Sequence, residues 1–318
     1  MQDTMNLLKK AICYESPSEL PVYIGILPAA RKHYGTELDR ILHQYPDFFS
    51  QEESFQNVNM AITYYAGNHT DPWGCVWSNL QEGMEAYVTG HPVPKREDIL
   101  TLKAPDTNMG LPHGFMYLRL LDLRGFEESM LDFAEECEEL QRLIDIVRDY
   151  NMKQMQMKCA DTNSWLITVG DDLGMQQGLA IGAEKWRKYL KPAFKAIYDI
   201  AHAANKMVYM HTDGDIIEIM HDLVETGVNM INPQYRANGI DKIVKTCKGK
   251  IPVMLDLDRQ LFPFGSPKDM IDHVTEAVEK MYVPSGGFGL NLELGMEVPL
   301  ENIDALIGAV NQLRFYKG

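Results

Sequence analysis

The sequence predicts an α/β protein built as a (β/α)8 barrel. Apolar runs of strand length alternate with amphipathic helical segments along most of the chain. Polar side chains gather at the points where these runs end. The alternative is an open doubly wound sheet, but no glycine-rich dinucleotide fingerprint follows a strand. With 318 residues, we expect one barrel domain spanning residues 1–318.

The first part of the chain predicts three strands separated by irregular sequence. These strands are expected at residues 21–26, 60–65 and 114–120. Between the second and the third lies a turn-rich insert of about residues 66–112, rich in glycine, proline and tryptophan. An insert of this length is usually a functional lid or a small subdomain.

From Trp165 onward the alternation of strands and helices is regular. Five more strands are expected at residues 165–169, 207–210, 228–232, 252–257 and 287–294. A long helix is expected from about Ala183 to Ala204, with a bend at Pro192. Together with the first three, these strands make the eight that a (β/α)8 barrel requires.

The charge, the cysteine pattern and the lack of long apolar runs disfavour several classes of protein. A formal charge of −15 disfavours a nucleic-acid or anionic-membrane surface. The five cysteines are scattered and form no CxxC pair, which disfavours a disulfide framework. The sequence shows neither a signal-peptide core nor a run of eighteen apolar residues, so we expect a cytoplasmic enzyme.

The ends of the predicted strands carry a dense set of polar groups. In chain order these are Asp171 and Asp172, His211 and Asp213, Asn232, Gln234 and Tyr235, Asp256, Asp258 and Arg259, and Asn291 and Glu293. Carboxylates with one imidazole suit either a metal site or general acid–base chemistry. For the second alternative, the predicted catalytic groups are Asp171, Asp172 and Tyr235.

The stretch KMVYMHTDGD, residues 206–215, is central to the metal hypothesis. His211 and Asp213 lie two residues apart on a strand, so both side chains can face one ion. Glu293 is the predicted third ligand, with Asp171 or Asp172 as substitutes. The simpler alternative is that His211 hydrogen-bonds a neighbouring carboxylate.

Several segments together resemble one known superfamily. They are GDDLGMQQG (170–178), HTDGD (211–215), LFPFGSP (261–267) and VPLENIDAL (298–306). This set resembles the uroporphyrinogen decarboxylase superfamily. DPWGCVW (71–77) with HPVPKREDI (91–99) is similar to the N-terminal insert of its methyltransferase-like branch. The resemblance implies a (β/α)8 barrel with its site at the carboxyl ends of the strands.

The decarboxylase branch of this superfamily fits the chain poorly. Its members use an N-terminal Arg-Gln-Ala-Gly-Arg segment and a histidine near the last strand. The corresponding segment here reads GILPAAR, which keeps Arg31 alone, and the last strand carries Leu292 and Glu293. Porphyrinogen decarboxylation is therefore disfavoured.

The methyltransferase branch holds zinc in a His-x-Cys…Cys pattern. Its positions fall on His211, Asp213 and the neighbourhood of Glu293, so carboxylates replace both cysteines. Carboxylate ligands leave a harder Lewis acid than thiolates do. The resemblance thus implies a zinc-dependent methyltransferase that moves a methyl group from a small donor, such as an aromatic methyl ether, to a corrinoid protein. The corrinoid cofactor would be bound by that partner.

Four aromatic residues are candidates to contact such a donor, with local packing as the alternative. They are Trp73, Trp77, Tyr64 and Phe262. Two other functions remain open: a lyase related to the decarboxylases, and a non-catalytic protein that binds a corrinoid or tetrapyrrole. Metal content separates the methyltransferase from the lyase, and turnover separates both from the binding protein.

Overall fold

The computed structural model describes residues 2–50 and 60–318, and within them nine strands form two sheets. Six strands form a parallel sheet, and β2, β3 and β4 form a short separate one in that order. The strand bounds are β1 Val22–Ile26, β2 Gly67–Thr70, β3 Val76–Asn79, β4 Tyr87–Gly90, β5 Leu166–Gly170, β6 Met207–Thr212, β7 Met230–Pro233, β8 Val253–Asp256 and β9 Phe288–Leu294.

Helices fill most of the sequence between these strands. Their bounds are α1 Gln2–Ile12, α2 Pro28–Tyr34, α3 Thr36–Leu42, α4 Arg96–Ile99, α5 Tyr117–Arg124, α6 Phe126–Glu135, α7 Glu138–Cys159, α8 Gly182–Lys185, α9 Lys191–Ala203, α10 Met220–Thr226, α11 Tyr235–Asn238, α12 Ile240–Cys247, α13 Pro267–Met281 and α14 Leu300–Leu313. Short 3-10 turns lie at Ile62–Tyr64 and Ile217–Ile219, and a π-helical turn lies at Trp186–Leu190. This π turn separates α8 from α9, whose second residue is Pro192. The predicted helix is present as these three consecutive helical segments, and the bend at Pro192 stays a prediction.

Contacts divide the chain into two compact units. The first comprises Met1–Gly67, Asn79–Tyr87 and Gln234–Gly318, and the second comprises Asn68–Ser78 and Val88–Pro233. In the first, β1 and β8 both pair in parallel with β9, while α13 packs on α14. In the second, β5 and β7 both pair in parallel with β6, while α7 packs on α9. The single domain spanning residues 1–318 stays a prediction.

The α/β class is confirmed, with six of the eight predicted strands found in the parallel sheet. The predicted closure by eight strands is not found among the described residues. Residues 66–112, predicted to be an insert, contain β2, β3, β4 and α4. Their role as a lid or subdomain stays a prediction.

Two predicted strands are wrong. Residues 60–65 contain the 3-10 turn Ile62–Tyr64, and the end of the predicted strand 114–120 lies in α5. The apolar run Phe115–Leu120 is short, and periodicity alone does not separate a buried strand from a buried helix at that length. Within residues 2–50 and 60–318, no helix combines the length and the apolar composition needed to cross a membrane.

Candidate metal centre

The candidate centre lies in the second unit, where β5, β6 and β7 end. The parallel register pairs Gly170 of β5 with His211 of β6, and His211 with Asn232 of β7. Residues paired in register project to the same face of a sheet. His211 and Asn232 consequently meet side by side, with Nδ1 of the histidine 2.9 Å from Oδ1 of the amide.

Three side chains converge here into a group that can hold a metal ion. Asp172, His211 and Asp213 each offer one ligand atom, and these atoms all lie within 4.8 Å of one another. His211 Nε2 lies 3.1 Å from Asp213 Oδ1. All three residues are half-buried, so the group is open to a ligand from solvent. The part of the chain that the structure describes contains one such group of three or more.

The hydrogen bond to Asn232 defines the chemistry of the imidazole. Because the amide oxygen accepts, His211 Nδ1 carries the hydrogen, and in the neutral ring Nε2 then presents its lone pair. That lone pair and an Asp213 carboxylate oxygen face each other at 3.1 Å, an arrangement stabilised by a proton or a cation. Two ligands of a tetrahedral zinc ion with bonds of about 2.1 Å lie roughly 3.4 Å apart. One histidine with two carboxylates therefore fits zinc as a donor set.

Backbone contacts lock together the two loops that carry these ligands. Gly174 N–H donates to Asp213 O at 3.1 Å, and Asp213 N–H donates to Asp172 Oδ1 at 3.2 Å. Gly214 has φ +83°, and a Cβ built on it would lie 2.1 Å from the carbonyl carbon of Gly174. Glycine is required at position 214 for two reasons. L side chains are strained at that φ, and the backbone of Gly174 occupies the space that a Cβ atom would need. The ligand positions are thus set by the two backbones.

Asp171, a predicted catalytic residue, is buried in this unit and hydrogen-bonded to the start of a helix. It is fully buried and accepts hydrogen bonds from the backbone N–H groups of Met116, Tyr117 and Leu118 at 3.0, 2.5 and 2.9 Å. These N–H groups belong to the start of α5, where a helix lacks internal partners. Burial raises the pKa of Asp171 to about 6, and the N–H groups act in the opposite direction. A catalytic role for Asp171 stays a prediction.

The two tryptophans predicted to contact substrate both donate hydrogen bonds to Asp71, Trp73 through its backbone N–H, and Asp71 belongs to a buried ion pair in the same unit. Trp73 is buried, with its ring packed at 71° against Tyr150, and Trp77 Nε1–H donates to Asp71 Oδ2 at 3.1 Å. Asp71 also accepts from Arg119 Nη1 at 2.6 Å. These contacts describe packing, and a substrate role for either ring stays a prediction.

A second carboxylate, that of Asp122, lies beside the pair formed by Asp71 and Arg119. We expect it to make the free energy of unfolding depend on pH. Asp122 lies 3.7 Å from Arg119, and its side chain is 17% exposed. Burial first, and then repulsion from Asp71, raises the pKa of Asp122 from 3.8 to about 7 against the opposing effect of Arg119. The folded state therefore binds the proton more tightly than the unfolded state, and stability falls as pH rises from about 4 to 7.

We expect Asp122→Asn to stabilise the protein at pH 8, where the wild type holds an unfavourable buried charge. The gain should be at least about 1 kcal/mol and should disappear near pH 4. Urea unfolding at both pH values measures it. Asp199→Asn is the control, because Asp199 is exposed and pairs with Lys195 at the surface. An equal effect of Asp122→Asn at both pH values would contradict the assigned pKa.

The remaining predicted site residues lie in the first unit. Glu293 accepts from Arg259 Nη1 at 2.5 Å, and Tyr235 donates its hydroxyl hydrogen to Glu276 at 2.7 Å. Phe262 is fully buried beside His273, and Tyr64 is half-buried in its 3-10 turn. Glu293 as third ligand, Tyr235 as catalyst, and Phe262 and Tyr64 as substrate contacts all stay predictions.

The structure adds two residues around the cluster. Asn232, seen in the sequence only as a polar strand end, is the partner of His211. His113 Nε2 lies 3.1 Å from Asp172 Oδ1, a contact that no sequence pattern predicts. Asp172, predicted both as a substitute ligand and as an acid–base group, is the third member of the group. Its acid–base role stays a prediction.

Comparisons with known proteins place the chain in a family. Residues 119–313, more than half of the chain, match the family described as uroporphyrinogen decarboxylase (URO-D). The chain belongs to the uroporphyrinogen decarboxylase family, and the resemblance inferred from its motifs is confirmed. A comparison with curated protein sequences finds no match.

Solved structures support the fold. A methyltransferase from Methanosarcina mazei matches with a TM-score of 0.63 and 17% sequence identity, covering 96% of this chain and 98% of that one. A dihydropteroate synthase from Xanthomonas albilineans, solved with 4-aminobenzoic acid, matches with a TM-score of 0.34 and 16% identity over 52% of this chain and 61% of that one. The second likeness is too weak to carry an argument. The first extends the fold assignment over nearly the whole chain.

Proposed function

We propose that this protein is a zinc-dependent methyltransferase that moves a methyl group from a methyl ether, such as an aromatic one, to a corrinoid protein. The observation that carries the proposal is the convergence of Asp172, His211 and Asp213 at the ends of β5 and β6. Membership of the family and the fold shared with a methyltransferase support the enzyme class.

The ligand chemistry favours an oxygen-containing methyl donor. Two carboxylates and one imidazole are harder donors than the thiolates that zinc sites use to activate thiols. Zinc bound by these three residues would act as a Lewis acid and polarise the ether oxygen. The chain itself would contribute the fixed loops, the oriented imidazole and an approach from solvent. The methyl group would pass to cobalt(I), and the oxygen would leave as the alcohol or phenol after taking up one proton.

The corrinoid would be carried by a partner protein, and we retain a cytoplasmic location as part of the proposal. The methyltransferase from Methanosarcina mazei supports the reaction class, while the partner and the donor are inferred from the family resemblance and the ligand chemistry.

A spectroscopic assay tests the reaction. The zinc-loaded protein is mixed with a corrinoid protein reduced to cobalt(I) and with a series of methoxylated aromatics. We expect conversion of the cobalt(I) spectrum to that of methylcobalt(III), with one equivalent of the demethylated phenol formed. Ethoxylated analogues serve as the substrate control. Absence of methylcobalt(III) with every donor, at full zinc loading, would contradict the proposed reaction.

A further inference from the structure

We infer that His113 is a positioning residue, which holds Asp172 by a hydrogen bond so that the second carboxylate oxygen points toward the metal ion. The inference rests on the metal site of the proposed function. It concerns a residue outside the group of three ligands.

His113 lies beside the ligands without joining them. Its Nε2 is 3.1 Å from Asp172 Oδ1, and its ring centroid is 5.7 Å from that of His211. The three atoms that can bind one ion come from Asp172, His211 and Asp213. His113 is thus placed to orient a ligand.

The backbone of β5 fixes where the His113 ring can lie. Gly114 N–H donates to Gly170 O at 2.8 Å, which anchors the segment carrying His113 to the end of the strand. Gly170 has no side chain, and a Cβ built on it would lie 2.5 Å from His113 Nδ1. The Nδ1 edge of the imidazole therefore occupies the space above Gly170 and directs Nε2 to the carboxylate.

The contacts of Asp172 show how the position of the His113 ring affects the carboxylate. Oδ1 lies 3.1 Å from His113 Nε2 and accepts a hydrogen bond from Asp213 N–H at 3.2 Å. With Oδ1 held by two donors, Oδ2 is the oxygen that can turn to a metal ion. His211 has the equivalent arrangement, because Asn232 holds Nδ1 and leaves Nε2 for the ion. Groups that orient metal ligands in this way commonly contribute 10–100-fold to metal affinity.

Zinc affinity, measured by competition with a chromophoric chelator, tests this inference. We expect His113→Ala to weaken zinc binding by about 10–100-fold. His113→Gln should keep most of the wild-type affinity, since its side-chain amide can supply the lost N–H donor. Gly170→Ala should weaken binding while retaining the imidazole, because the new methyl group displaces the ring. His221→Ala, at an exposed position of α10, is the matched control.

The unfolding temperature of each metal-free variant separates positioning from general stability. We expect it to stay close to the wild-type value for His113→Ala, whose side chain is 40% exposed in the wild type. X-ray absorption of the zinc form should show a single imidazole ligand. Unchanged affinity in His113→Ala, or two imidazole ligands on zinc, would overturn the inference and leave the proposed function standing.

The proposed function can also fail by itself. Tight zinc binding that depends on His113, combined with no methyl transfer, would refute the reaction and keep the positioning role. A wild-type protein that binds no zinc would overturn both.

Discussion

Replacing His211 with alanine is expected to abolish stoichiometric zinc binding. The imidazole is the only nitrogen donor of the described group, and its loss leaves two carboxylates, a poor set for zinc. One ligand of a zinc site contributes roughly 3 kcal/mol, so affinity should fall on the order of 100-fold or more. Zinc content after gel filtration, measured by plasma emission, should fall from about one ion per chain to near zero.

The control for this prediction is His221→Ala, which removes an exposed histidine of the same unit and should keep full zinc content. Circular dichroism of both variants verifies that each is folded. Stoichiometric zinc in folded His211→Ala protein would remove His211 from the ligand set, and with it the central residue of the proposed site.

The second large effect is expected on stability, from Asp171→Ala. This change leaves three N–H groups at the start of α5 without their carboxylate acceptor. An unsatisfied buried donor costs about 1–3 kcal/mol, so the free energy of unfolding should fall by about 3–5 kcal/mol. Urea unfolding followed by tryptophan fluorescence measures the loss.

Asp199→Ala is the matched control for Asp171→Ala. Asp199 pairs with Lys195 one helical turn away at the surface of α9, and exposed pairs of this kind contribute less than about 1 kcal/mol. If Asp171→Ala destabilised the protein no more than this control, the contacts to α5 would not be the main role of the residue. A loss of turnover with little loss of stability would instead support the predicted catalytic role.

Much of the fold is predictable because strand periodicity is a local property. The strands that carry the ligands, β5 and β6, were predicted within two residues at each end, since each is an apolar run that ends in glycine or polar residues. Residues 114–120 were mispredicted for a nonlocal reason. Their helix begins where Asp171, more than fifty positions along the chain, satisfies its first N–H groups.

In the candidate site, too, the residues set by local spacing are predictable and those set by nonlocal contacts are not. His211 and Asp213 were predicted as a pair because their spacing on one strand places them together. As a metal ligand, Asp172 could be named only as a substitute, since its place in the group depends on the close approach of the Gly174 and Gly214 backbones. His113 follows no strand and belongs to no spacing pattern, and its contact depends on the missing side chain of Gly170. Such contacts arise from the packing of loops, which a single sequence does not encode in any short pattern.

The most direct measurement is the metal content of the wild-type protein, purified without chelator and measured again after zinc is added and the excess removed. We expect about one zinc ion per chain, bound at the group formed by Asp172, His211 and Asp213. A protein that binds no zinc under either condition would contradict the proposed zinc site and favour metal-free lyase chemistry or a binding role.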